Sequence, residues 1–221
     1  HAAGAKASIQ IGHCGNMTHK STAGCTPVGA STGFNLYSPT FVRGLKAAEI
    51  EKISADFGEA VNCARRAGFD CVEVHAGHGY LLSQFLSPYT NRRRDEFGGS
   101  LTNRMRFMQM AMDRVMEAAG NDMGVLVKMN MDDGFRSGMH REECLEVAGE
   151  LLRLGAHALV LSGGFVSKAP MYVMRGEMPI YSMTHYMKQA WLKYSVRMFG
   201  GMMIPREPFR PLYFLEQARS F

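Results

Sequence analysis

Four short runs rich in Val, Ile, Leu and Ala alternate with longer stretches of helical period, and this alternation narrows the fold more than any other feature. Strands separated by helices pair in parallel after a crossover, so the pattern predicts repeated β-α units and one parallel sheet. The strands are expected at 5–11, 69–75, 124–130 and 158–162. Between them, Ile50, Ile53, Phe57, Ala60, Val61 and Ala64 make one apolar helix face, closed by Gly68. Met105, Met108, Met112, Val115 and Ala119 make a second, with Ser100 or Thr102 as candidate N-cap and Gly120 past the end. Cys144, Leu145, Ala148, Leu151 and Leu152 make a third, ending at Gly155. Further helices are expected over 184–199 and 208–218.

The connections are lopsided. Segments entering strands are tight, such as Ala67-Gly68, whereas about 35 residues follow the first strand, about 25 the second and about 20 the fourth. In a β/α barrel such long loops gather at the C-terminal ends of the strands, where active sites lie.

Period two sorts each strand into two faces. Ala5, Ala7, Ile9, Ile11, Val72, Val74, Val125, Val127 and Met129 should meet the helices. Lys6, Gln10, Glu73, His75, Lys128 and Asn130 then fall on the opposite face and form a polar interior. Buried charges need partners, and the expected pair is Glu73 with Lys6 on the neighbouring strand. Gln10, His75, Lys128 and Asn130 would form the upper layer.

Composition closes off several classes. The chain has 221 residues, 46% hydrophobic and 20% charged, enough for a globular core. It starts at His1 and runs almost at once into a strand, which reads as a fragment. The net charge of +5 is dispersed, with Arg92-Arg93-Arg94 the only cluster, so no nucleic-acid surface is indicated; that cluster reads first as a solvated or salt-bridged loop. No apolar run approaches the ~18 residues of a membrane span. Cys14, Cys25, Cys63, Cys71 and Cys144 lack disulfide or zinc spacing, which suits a reducing, cytoplasmic setting. The Met stripe reads as core packing.

One motif carries chemistry. His75-Ala-Gly-His78-Gly-Tyr80 stands at a strand end, where glycines let the chain turn and three polar side chains converge. Histidines three apart share a face only on a helix, and no carboxylate or Cys stands at ligand spacing, so no metal site is expected.

The 30 residues from His75 to Arg104 closely resemble the segment after the fourth barrel strand in the Old Yellow Enzyme family of FMN-dependent ene-reductases. Gly4 to Gly15 resembles that family's third strand, 67–75 the approach to its fourth, Val127-Lys128-Met129-Asn130 the fifth, and 159–164 the sixth. The resemblance implies a partial (β/α)8 TIM barrel of the α/β class, strands three to six, forming one incomplete FMN-binding domain over residues 1–221. By that resemblance His75 and His78 would hydrogen-bond the carbonyl oxygen of an activated alkene, and Tyr80 would protonate the α-carbon, a role that suits a phenol protonated at neutral pH. Gln10 would bond the flavin pyrimidine edge, and Lys128 would place positive charge beside it. Ser162 and Gly163 would join the cofactor set. The implied hydride donor is NADH or NADPH and the substrate an enone or enoate, with assembly into a homo-oligomer left open by the sequence.

Departures accompany the resemblance. Asn16 stands where the family commonly has Arg, and Lys128 where much of it has Arg. Lys168 and Arg175 lie in a segment expected to shape the substrate pocket. Strands one, two, seven and eight, with most of the FMN phosphate cradle, have no counterpart in these residues, and the iron-sulfur cluster of some relatives would belong only to a C-terminal region beyond Phe221, which this sequence leaves open. A truncated remnant unable to hold FMN is therefore the competing expectation. A third is a barrel enzyme using Lys128 as a Schiff-base nucleophile, against which Lys128 reads more simply as a charge partner.

Overall fold

The computed structural model describes the chain except for residues 37, 38, 188, 189, 204 and 205. Strand β1 (Ser8–Ile11) leads through a short helix α1 (Lys20–Ala23) into three brief strands, β2 (Val28–Gly29), β3 (Gly33–Asn35) and β4 (Thr40–Gly44). Then follow α2 (Ala47–Arg66), β5 (Cys71–Ala76), α3 (Leu81–Leu86), α4 (Leu101–Ala119), β6 (Gly124–Asn130), α5 (Arg141–Arg153) and β7 (Ala158–Ser162). The chain ends in α6 (Pro170–Met174), α7 (Ile180–His185), α8 (Ala190–Met203) and α9 (Leu215–Ala218). The main sheet is parallel with order β1-β5-β6-β7, and the small strands form a second sheet, β2-β4-β3.

The parallel sheet follows from its apolar faces. Val72, Val74, Val125 and Val127 have no exposed surface and pack on Ile50, Phe57 and Val61 of α2, Phe107, Met108 and Met112 of α4, and Cys144, Val147 and Leu151 of α5. The Met stripe is core, with Met105 and Met116 packed at its margin. Ser100 caps α4, accepting from Asn103 N at 3.3 Å.

Register sets the inner face in rungs: Gln10 lies opposite Glu73, His75 opposite Lys128, and Asn130 opposite Ser162. The expected Glu73–Lys6 pair is not formed. Asp70, just before β5, reaches back to Ala7 N at 2.8 Å and captures Lys6 at 2.8 Å, leaving that ammonium largely exposed at the foot of the sheet. Glu73 instead pairs with Lys128 at 2.9 Å and accepts from Gln10.

Two helix expectations are met only in part. The stretch 184–199, part of which lies outside the described residues, is divided between α7, which ends at His185, and α8, which covers it from Ala190, and Arg197 of α8 donates to Thr184 Oγ1 at 2.9 Å while stacking on Tyr181. Over 208–218 only α9 is helical, because Leu212 takes a left-handed φ of 55° that breaks the helical run ahead of it. The first long connection carries the small sheet, whose strands are too short to show a period.

Candidate active site

The site starts where β5 stops. His75 is the penultimate residue of that strand, and His78 and Tyr80 follow in a turn that α3 then terminates, with Tyr80 as its N-cap residue. The three rings gather: His75 and His78 centroids are 5.1 Å apart, and His75 and Tyr80 4.8 Å. With Gln10, Gly12, His13 and Cys14 from the end of β1, His75 and Tyr80 line an open cleft of about 320 Å³. Leu81 N donates to His13 O at 2.9 Å and ties the two strand ends together.

Both histidines are held neutral. Burial, then the repulsion that a protonated His78 and Lys128 would exert, push the His75 pKa down to about 4; burial and Lys128 lower that of His78. A neutral imidazole carries one N–H to give and one nitrogen to receive. His78 Nε2 meets Ser162 Oγ at 2.7 Å, and His75 Nδ1 is buried without a hydrogen-bond partner among the described residues. Glu73 feels opposing effects: burial pushes its pKa up, but hydrogen bonds from Lys128 and Gln10 outweigh it and hold the carboxyl below its ordinary range.

The structure therefore brings together His75, His78, Tyr80, Gln10 and Lys128 on one face, with Ser162 touching His78. Gly163 is packed under another segment, since a Cβ there would stand 2.8 Å from Tyr172 Cε1 and 3.2 Å from Phe214 Cζ. Two arginines highlighted by the sequence lie elsewhere. Arg93 pairs with Asp95 at 2.6 Å and donates to Ala30 O and Leu45 O, clasping a loop to the small sheet. Arg175 lies among Tyr172, Tyr213 and Phe214, 4.4 Å from the Tyr213 ring centre, and meets Glu207 at 3.4 Å. Sequence reading missed His13, whose signal was its place two residues beyond a strand end. It also missed Gln84, fully buried, which holds Gly79 O at 2.6 Å from inside α3.

Residues 1–170 match the NADH:flavin oxidoreductase / NADH oxidase family. The chain belongs to that family. A 4,4'-dithiodibutanoate disulfide reductase of Rhodococcus erythropolis is 34% identical over 223 aligned positions, covering the whole chain and 55% of that protein. An NADH oxidase of Thermoanaerobacter brockii is 39% identical over 171 residues, 77% of this chain and 26% of that one. Among solved structures, morphinone reductase in complex with tetrahydroNAD matches 73% of the chain and 50% of its own length at 33% identity, with a TM-score of 0.66. An old yellow enzyme homologue from Zymomonas mobilis shares the fold over 99% of this chain, with a TM-score of 0.69 at 24% identity. These barrel relatives make the four-stranded parallel sheet part of a (β/α)8 barrel. The chain spans about half the length of the curated family members it matches, and less of some.

Proposed function

We propose that this face of the barrel serves an FMN-dependent oxidoreductase that passes hydride from NADH or NADPH, by way of flavin, to the C=C bond of an enone or enoate. The observation that carries the reading is the buried His75 imidazole, unpartnered at Nδ1, standing between His78 and Tyr80 beside an open cleft. As a neutral imidazole His75 keeps one N–H, and a substrate carbonyl oxygen in the cleft it lines would accept from it. His78 is primed in the same sense. When the Ser162 hydroxyl donates its hydrogen bond to Nε2, the imidazole N–H stands on Nδ1, free to be donated. Two neutral donors converging on one oxygen stabilise the negative charge that develops there during reduction. Tyr80 then delivers its phenolic proton to the α-carbon.

The inner face fits a flavin edge. Gln10 and Lys128 bring an amide and an ammonium to one side of the cleft, donors suited to ring carbonyls, and Glu73 tempers the positive charge by pairing with Lys128. FMN, when bound, relays the hydride. Because the chain spans only about half of its relatives, the 221 residues alone are expected to hold FMN weakly, and flavin titration of this chain measures that directly.

The test uses the full-length protein, which should purify with flavin absorbance. Tyr80→Phe should slow reoxidation by 2-cyclohexen-1-one by about a hundredfold while leaving flavin reduction by NAD(P)H nearly unchanged. Equal loss of both half-reactions, or a protein without flavin, refutes the reading. A second reading, reduction of a disulfide bond, is favoured by the Rhodococcus relative, which aligns through 171–221 where the family match stops. Cleavage of S–S yields thiolates and needs no carbon protonation, so Tyr80→Phe should spare reoxidation by 4,4'-dithiodibutanoate.

A further inference from the structure

His78 adopts φ 59°, a left-handed conformation that a residue with a Cβ holds only under restraint. The restraints come from the end of β6 and from the loops that follow β6 and β7. Asn130, 1% exposed at the end of β6, accepts the His78 N–H through Oδ1 at 3.0 Å. The same amide donates to Gly164 O at 2.9 Å and to Asp133 Oδ1 at 2.8 Å. Those partners dictate how the amide lies, with a donor facing one end and only acceptors facing the other. Asp133 has no exposed surface, and its Oδ2 accepts from Met139 N at 2.8 Å. Beyond the turn, His78 O accepts from Val166 N at 3.0 Å. Gly77 leaves no slack, since a Cβ there would stand 2.9 Å from Asn130 Oδ1.

We propose that Asp133 is a positioning residue for the substrate-activating histidines, acting through Asn130 on the His78 backbone. The inference rests on the reading of His75 and His78 as the carbonyl-binding pair. Asp133 is not among the residues lining the cleft, so it acts on substrate only through that chain of bonds. Both of its oxygens accept, and its Oδ1 joins Gly164 O in keeping the Asn130 amide group from turning its NH2 toward His78 N. Loss of that acceptor leaves Gly164 O alone to orient the amide, loosens the left-handed turn and lets the His78 ring shift away from His75.

The test is Asp133→Asn in the full-length, flavin-loaded protein, because an amide cannot accept at both positions. The KM for 2-cyclohexen-1-one should rise about tenfold, as a misplaced donor predicts, with flavin reduction by NAD(P)H changed less than twofold. In protein labelled with ¹⁵N-histidine, the His78 ring resonances should move while those of His140 stay. A lower melting temperature with unchanged KM and unchanged His78 resonances would show a purely structural role and overturn the proposal. Should Asp133→Asn not fold, Asn130→Ser must give the same KM rise and the same His78 shift, or the proposal falls. Failure of the wild type to reduce the enone would defeat the substrate reading alone, and the His78 resonances would still decide the positioning role.

Discussion

Replacing Gly79 with Ala adds a methyl group at the centre of the turn that carries His78 and Tyr80, and the cost separates into two parts. Gly79 has φ 82°, so a Cβ there carries left-handed strain of roughly 1–2 kcal/mol. That Cβ also stands 2.4 Å from Phe165 Cε1 and 2.6 Å from Cδ1, far inside contact distance. Phe165 cannot step back. It is fully buried and edge-on to Tyr89 and Phe135, so overpacking adds about 1–3 kcal/mol. Gly99 supplies the control, with φ 81° and no atom within 4 Å of its built Cβ. Gly79→Ala is therefore expected to cost about 2–5 kcal/mol and Gly99→Ala about 1–2 kcal/mol. Equilibrium urea unfolding followed by circular dichroism, with midpoints compared at unchanged m, measures both. Equal destabilisation would refute the reasoning, because it would mean that Phe165 does not clamp the turn. The enone KM should rise for Gly79→Ala alone, since only that residue separates His78 from Tyr80.

His75 should titrate near pH 4 against an ordinary 6.5, because burial disfavours its cation. The folded pKa lies below the unfolded one, so the unfolded chain takes the proton first, and the stability is present above about pH 6.5 and lost as pH falls towards 4; an NMR midpoint near 6.5 would contradict this. Glu73→Ala strands the Lys128 ammonium, a quarter exposed, and should cost about 1–3 kcal/mol. Adding Lys128→Met should recover part of that, and a double-mutant cycle with no coupling would dissolve the pair.

Much of the site was legible because strand geometry is periodic. Once Val72 and Val74 are assigned to the helices, Glu73 and His75 must point the other way, and the register then places Lys128 beside His75. The partner of Glu73 was misread for the same reason that the face was read well: period two reports direction but not neighbours. Lys6 shares the face, yet Asp70 stands nearer to the start of β1 and captures it. Similarly, the apolar period across 184–199 shows helix, but the fold-back of Arg197 onto Thr184 is a contact between residues that no local pattern couples.

The sequence by itself determined the β-α order, the apolar faces and the His75, His78 and Tyr80 cluster at a strand end, because these depend on local period and on turns that glycine permits. Only the tertiary structure decided which charge meets which, how Asn130 and Asp133 hold His78, and why Gly79 has no room for a methyl group. Hydrogen bonds and steric limits of that kind join residues as far apart in sequence as His78 and Val166, and they exist only once the strands lie side by side.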